Sequence, residues 1–366
     1  MKIAIFHDFI IEKGGGTKYI ETLSKYFNVE VFTCFYRENR NSPNLEGIKI
    51  INDNSLFYNL EIKNKFIKIA KTVLFFSNKL KRYSYYINKN FDVAIFSGFY
   101  SIYFSKYVKI PKIYYIQAEP LLMALNREGT KSTEKIILKP IIKKIYKLEK
   151  SYLSNMDLIV ANSKYTKNIY NNFFNLDVEY IVYPPVNTEK FHFKSIGDFY
   201  LYVGRLYLCK RVDVIIRAFM KLRNEKLVIV GEGPLREYII KVTQKYKNIS
   251  YLGAVSEKVL KELYANANSV IYITEKEPFG LVPVESNASG KSAIVSNEGG
   301  LKEIINKKEV GLRINKPYLK NLVKVIKRKE HLDYWDKKEC IRNAKRFDER
   351  NFIKQMKKIF EEVNKK

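Results

Sequence analysis

Apolar positions along the chain follow two periods. Short, mostly apolar runs occur at Lys2–Phe6, Val29–Thr33, Val93–Phe96, Ile113–Ile116 and Leu158–Ala161, and in the intervening Thr17–Tyr26 apolar residues recur every three to four positions. A second series holds Phe199–Val203, Lys226–Val230, Ile249–Leu252, Ser269–Tyr272, Ser292–Val295 and Gly311–Ile314. It is interleaved with Val212–Leu222, Pro234–Tyr246, Lys258–Ala265 and Leu301–Ile305. Continuous apolar runs suit strands buried on both faces, and the longer spacing suits amphipathic helices. The alternation predicts an α/β chain of two doubly wound, Rossmann-like parallel-sheet domains, one after the other. Pro184 and Pro185, in the stretch Tyr183–Gly197, mark the boundary. The expected domains are residues 1–190 and 197–345, with the last amphipathic segment, 351–366, packing back on the first.

At 366 residues the chain is too long for one ordinary core, which agrees with two domains. Its 66 Lys and Arg against 38 Asp and Glu leave a net charge of +28, spread over both halves. That balance fits an anionic partner (nucleic acid, a membrane surface or a phosphorylated substrate) or simply a Lys-rich surface. Three scattered Cys and three scattered His form no zinc or disulfide spacing. The start, M-K-I-A-I-F-H-D-F-I, is broken by His7 and Asp8 and reads as a buried strand rather than a signal peptide. No run of eighteen apolar residues exists, and a cytoplasmic location is expected.

Open α/β sheets take ligands at the carboxyl ends of their strands, and the chemistry-bearing segments follow strands. Glu277 and Glu285 bracket E-P-F-G-L-V-P-V-E, two carboxylates around a Pro-Phe-Gly break that suits a site for a polyol; Gly280 allows close backbone approach. In V-G-R-L-Y-L-C-K-R, Gly204 opens a loop whose Arg205 and Lys210 pair a planar fork with a point charge, as a departing diphosphate requires. V-G-E-G-P-L, with Gly233, is read either as a structural turn or as a ligand contact, and so is G14-G15-G16 after the first strand. No dinucleotide fingerprint or P-loop is present.

Together V-G-R-L…K-R, V-G-E-G-P-L, L-G-A-V-S…L-Y-A-N-A, E-P-F-G-L-V-P-V-E and E-G-G-L-K-E-I-I resemble glycosyltransferase family 4 in order and spacing, over about Phe199–Asn306. The upstream segments A-N-S-K-Y-T and Y-I-V-Y-P-P-V-N-T-E-K-F look like its mannosyltransferase-like branch. The resemblance implies the GT-B fold, with an N-terminal acceptor domain and a C-terminal nucleotide-sugar domain facing a cleft. It also implies retaining, metal-independent transfer of a hexose from a GDP-mannose or UDP-glucose type donor to a glycan or lipid-linked sugar. By position, Glu285 takes the ribose hydroxyls, and Arg205 and Lys210 the diphosphate. Glu277 and the backbone of Phe279, Gly280 and Leu281 take the donor sugar and phosphates, Val255 the base, and Gly15 and Gly16 face the diphosphate. Many relatives carry a His in Y-x-H-x-P; here Y-I-Q-A-E-P puts Gln117 there, with Glu119 the nearest acid. Gln can hydrogen-bond a hydroxyl but cannot shuttle a proton near neutral pH.

Residues 63–89 and 135–150 interleave Lys with large apolar residues, which suits either peripheral contact with an anionic membrane or core-facing helices with a solvated face. Two other readings stay open: a nucleotide-sugar hydrolase, epimerase or phosphorylase on the same fold, and, from net charge alone, a nucleic-acid-binding protein. No RNP-like motif or zinc finger supports the latter.

Overall fold

In a computed structural model the protein forms two compact units, Met1–Pro184 with Phe352–Lys366, and Pro185–Asn351. The described residues are 1–10, 14–36, 45, 49–52, 72, 74–76, 78–121, 123 and 132–365, without the side chains of 132–142.

The first unit carries a seven-stranded sheet: β1 Lys2–Ile10, β2 Asn28–Tyr36, β3 Lys49–Ile51, β4 Val93–Ser97, β5 Lys112–Ile116, β6 Leu158–Ala161 and β7 Tyr180–Ile181. Their order is β3-β2-β1-β4-β5-β6-β7, and all paired neighbours are parallel. One face, with Ile3, Ile5, Val31, Ile95 and Tyr115, packs on the Gly15–Ser24 helix and on Phe352, Met356 and Phe360 of the Glu349–Val363 helix. The other face is rich in stacked aromatics around Phe6, Phe32 and Phe96. β1 outruns the expected strand by four residues. Pairing with β2 continues to Ile10, and the polar step at Asp8 is tolerated because its carboxylate accepts the amides of Phe99 (2.6 Å) and Ser101 (2.8 Å). β3 and β7 are short edge strands whose apolar signal is too brief to read from sequence.

The second unit holds β8 Phe199–Val203, β9 Lys226–Val230, β10 Ile249–Gly253, β11 Ser269–Tyr272, β12 Ala293–Ser296 and β13 Gly311–Ile314, in the order β10-β9-β8-β11-β12-β13. In both sheets strand order reverses once, between β1 and β4 and between β8 and β11, and ligands of open sheets lie at the carboxyl side of such points.

The domain bounds need correction. Residues 185–196 are not a free linker, and 346–351 are not outside the second unit. Val186 bridges Asp348, Thr188 Oγ1 donates to Asp348 (2.5 Å), and Asn187 donates to Glu349 (2.8 Å), so these two segments lock onto each other. The break falls at Pro184–Pro185.

Candidate active site

The glycines of the second unit hold two loops together. Gly204 N donates to Val230 O (3.1 Å), Leu206 N to Glu232 O (2.8 Å) and Leu235 N to Leu206 O (3.1 Å). Gly231 and Gly233 have φ of +136° and +154°; a Cβ would land on the Gly204 carbonyl at the first and on the Leu206 backbone at the second. Loop packing accounts for Gly233 without a ligand, and the result is a rigid base for Arg205.

Lys210 lies in the turn Leu208–Lys210. Its ammonium donates to Glu277 Oε2 (2.6 Å) and to the Tyr272 hydroxyl (3.1 Å), and that hydroxyl is 3.3 Å from the same Oε2. The Lys210 and Glu277 side chains are 15% and 13% exposed. Both bonds fall on Oε2, and among the described residues none falls on Oε1, which keeps its lone pairs for a hydroxyl donor. Burial, and then Glu277, hold the Tyr272 phenol well above its usual range, so it stays a neutral donor, while Arg205, exposed, acts on the same phenol electrostatically. Gly299 (φ +62°) and Gly300 are packed so that a Cβ would strike the 277–279 backbone, and Gly300 N donates to Glu277 O (2.9 Å). The E-G-G step is thus the buttress of the E-P-F-G turn. Arg211 reaches Glu275 (2.6 Å), itself paired with Lys316 (2.9 Å), and pins the other side of that turn.

Gly280 (φ +99°) opens the helix Leu281–Ala288. Leu281 is its first residue, so the amide-rich end of the helix lies beside Glu277, the arrangement that favours anions. Glu285, in the second turn, accepts the hydroxyl of fully buried Tyr264 (2.7 Å). The Phe279 ring is buried against Phe347 (5.3 Å between centroids), which leaves only its backbone for a ligand. Val255 packs its side chain with Leu201, Val230 and Tyr264, and the preceding Ala254 N donates to Glu232 (3.3 Å). Glu277, Lys210, Gly280 and Leu281 are therefore brought together, with Arg205 alongside. The sequence reading missed Tyr264 and Tyr272. Both stand in apolar runs, where a Tyr reads as core, and only their hydroxyls distinguish them.

In the first unit Gly15 and Gly16 begin the Gly15–Ser24 helix, preceded by Gly14 with extended φ of −166°. A Cβ at Gly14 or Gly16 meets nothing within 4 Å among the described residues, so packing does not demand these glycines. Gln117 lies just past β5 and its carbonyl accepts from Asn162 (3.3 Å). Glu119 is buried, and it acts electrostatically on Tyr170 of the aromatic face. Glu149, not singled out from the sequence, is 1% exposed and accepts the Leu121 amide (3.3 Å); burial pushes its carboxyl up to about 7. Residues 63–71, 73 and 77 of the first basic segment lie outside the described residues; in the rest of 63–89, Phe75, Phe76, Leu80 and Ile87 are buried while Lys79, Lys81, Arg82 and Lys89 are exposed. In the described part of the second basic segment, Ile145 and Tyr146 pack against the core while Lys143, Lys144 and Lys147 are exposed, as in a core-facing helix.

Residues 187–347 match the family model described as "Glycosyl transferases group 1". The match covers the second unit almost from end to end and includes every second-unit residue of the site. An uncharacterized glycosyltransferase of Methanocaldococcus jannaschii is 38% identical over 34% of this chain and 35% of its own. An alpha-1,3/1,6-mannosyltransferase of Saccharomyces cerevisiae is 28% identical over 45% of this chain and 44% of its own. The chain thus spans between a third and a half of the length of these curated relatives. Among solved structures, Anabaena HepE in complex with UDP and glucose superposes with a TM-score of 0.73 at 14% identity, covering 99% of both chains. That likeness shows the fold: this is the GT-B architecture of two Rossmann-like parallel-sheet units.

Proposed function

We propose that the protein is a cytoplasmic retaining glycosyltransferase that moves a hexose from a nucleotide-sugar donor to a glycan or lipid-linked saccharide, without a metal. The observation that carries the reading is the Lys210–Glu277 pair at the amino end of the Leu281–Ala288 helix, with Arg205 beside it and Glu285 one turn along. A nucleoside diphosphate needs cations and amides for its phosphates and a carboxylate for its ribose, and these are present on one sheet end. In the reaction the bond from the anomeric carbon to the diphosphate oxygen breaks, and its electron pair leaves with the nucleoside diphosphate. The acceptor hydroxyl bonds to the anomeric carbon on the same face, and its proton passes to the departing phosphate oxygen. Arg205 and Lys210 offset the charge that gathers there, Glu277 Oε1 holds a sugar hydroxyl, and Glu285, steadied by Tyr264, holds the ribose. The yeast relative is named for mannosyl transfer and HepE holds UDP and glucose, so GDP-mannose and UDP-glucose are the donors to try first.

A thermal-shift screen against UDP, GDP, ADP and their sugars, without added metal, tests the reading. A ligand at about a hundred times its Kd stabilises by roughly 2.7 kcal/mol. One nucleotide should stand out, and the shift should vanish in Glu285→Ala. No shift with any of them overturns the proposal.

A further inference from the structure

The order β8-β11-β12-β13 sets four loops side by side at the carboxyl edge of the second sheet. Each loop contributes one member to a single row of charges: Arg211 after β8, Glu275 after β11, Glu298 after β12 and Lys316 after β13. Arg211 Nη2 and Lys316 Nζ both reach Glu275 Oε1, at 2.6 and 2.9 Å. Lys316 Nζ also lies 3.5 Å from Glu298 Oε1, which accepts the hydroxyl of buried Tyr318 (2.7 Å). Two cations and two anions balance, and Tyr318 anchors the row in the core of the unit. The Lys316 ammonium above all, with Arg211 behind it, holds the Glu275 carboxyl below its usual range against partial burial.

Lys210–Glu277 and Arg211–Glu275 are neighbouring ion pairs that join the same two loops. The backbone is strained on both sides of them. Arg211 and Lys276 have φ of +51° and +54°, a left-handed conformation that residues with a Cβ rarely adopt. Such residues persist where their surroundings hold them, and they gather at functional sites. Thr274 Oγ1, donating to Cys209 O (3.1 Å), joins the two loops nearer their strands. The Gly299–Gly300 buttress fixes the E-P-F-G turn against the β12 loop, while links to the β8 loop fix it against Lys210. A substrate treats the two ion pairs differently. A diphosphate on Lys210 and a hydroxyl on Glu277 compete with the bond between those side chains, whereas Glu275 keeps two cations that no ligand contests.

We propose that Arg211, Glu275 and Lys316 are positioning residues, which keep Lys210 and Glu277 at their spacing once a bound nucleotide sugar has loosened the bond between those two. That the load is a nucleotide sugar rests on the transferase reading; the row of charges does not. The Arg211, Glu275 and Lys316 side chains are 37%, 31% and 57% exposed, and ion pairs that open to water add little to overall stability, so the row acts on the local geometry of the turn.

Two variants break the row without touching Lys210 or Glu277. Glu275→Gln keeps the shape and removes the charge. Arg211→Gly removes the guanidinium and relieves the left-handed backbone, which glycine adopts freely. Both should melt near the wild-type temperature. Amide hydrogen exchange of residues 275–279 and of Gly300, whose N–H donates to Glu277 O (2.9 Å), is followed by mass spectrometry on the full chain. It is run with and without whichever of UDP and GDP raises the melting temperature. Without nucleotide the variants should exchange within about twofold of wild type, because Lys210–Glu277 still holds the turn. With saturating nucleotide they should exchange about five- to tenfold faster than wild type, with the nucleotide Kd within about twofold, and Arg211→Lys should restore the wild-type rates. Equal acceleration with and without nucleotide would make the row a plain structural tie and overturn the positioning role. No acceleration in either state, with nucleotide bound, overturns it as well and leaves the transferase reading standing. A nucleotide Kd weakened about tenfold or more in Arg211→Gly would make Arg211 a phosphate ligand and overturn its positioning role. No nucleotide binding by the wild type overturns the transferase reading and this inference together.

Discussion

Replacing Glu277 by Gln keeps the shape of the side chain and removes its charge. Lys210 Nζ lies 2.6 Å from Glu277 Oε2, with both side chains mostly buried. Exposed pairs contribute up to about 1 kcal/mol, and breaking a buried pair costs about 3–5 kcal/mol. A pair between these limits should show a coupling of about 2 kcal/mol in a urea-denaturation cycle of Glu277→Gln, Lys210→Met and the double variant. Activity then separates two roles. If Oε1 receives a hydroxyl of the donor sugar, Glu277→Gln should lose about 1.5–3 kcal/mol of transition-state stabilisation, roughly 10- to 150-fold in kcat/KM. Binding of the bare nucleoside diphosphate should be unchanged or tighter, because Lys210 is released from a competing carboxylate. Lys210→Met should weaken the bare nucleotide instead. Isothermal titration with nucleotide and nucleotide sugar measures both. If Glu277→Gln weakens the bare nucleotide as much as Lys210→Met does, Glu277 acts only through Lys210, and the sugar-binding argument fails.

Gly16→Ala should leave stability within about 0.5 kcal/mol, since a Cβ there has open space and the position is helical, yet should lower kcat/KM if substrate approaches that backbone; unchanged kinetics would make the glycines a simple turn. Gly299→Ala should cost about 2–4 kcal/mol in urea denaturation, because φ is +62° and the added carbon meets the Glu277 carbonyl; a neutral result would refute the buttress. Glu149 in the folded protein keeps its proton up to about pH 7, whereas the unfolded chain releases it near 4.5. Its stabilising contribution is therefore full below pH 4.5 and is lost as pH rises to 7, at most about 3 kcal/mol. Unfolding free energies of wild type and Glu149→Gln should accordingly diverge between those values, the variant gaining toward pH 7, and parallel curves would contradict the burial argument.

Much of the architecture was legible because it is local. Phe199–Val203, Lys226–Val230, Ser269–Tyr272 and Gly311–Ile314 have the strand bounds read from their apolar runs, since a strand buried on both faces needs such a run. Lys210, Glu277 and Glu285 were legible as chemistry because loops after strands are where an open sheet presents its ligand groups. What the sequence by itself determined was the buried central strands, their parallel pairing and the loops that carry the charges, but not the short edge strands β3 and β7. Tertiary structure alone decided which groups meet. Tyr272 joins Lys210 and Glu277 across 62 and five residues, Tyr264 finds Glu285, and Gly299 supports Glu277. Residues 185–196 and 346–351 likewise joined the second unit through Asp348 and Glu349, a long-range lock that prolines and periodicity do not announce. The reason is one of range: periodicity and turn chemistry act over a few residues, whereas a hydroxyl buried in a core acquires its partner only when distant segments pack.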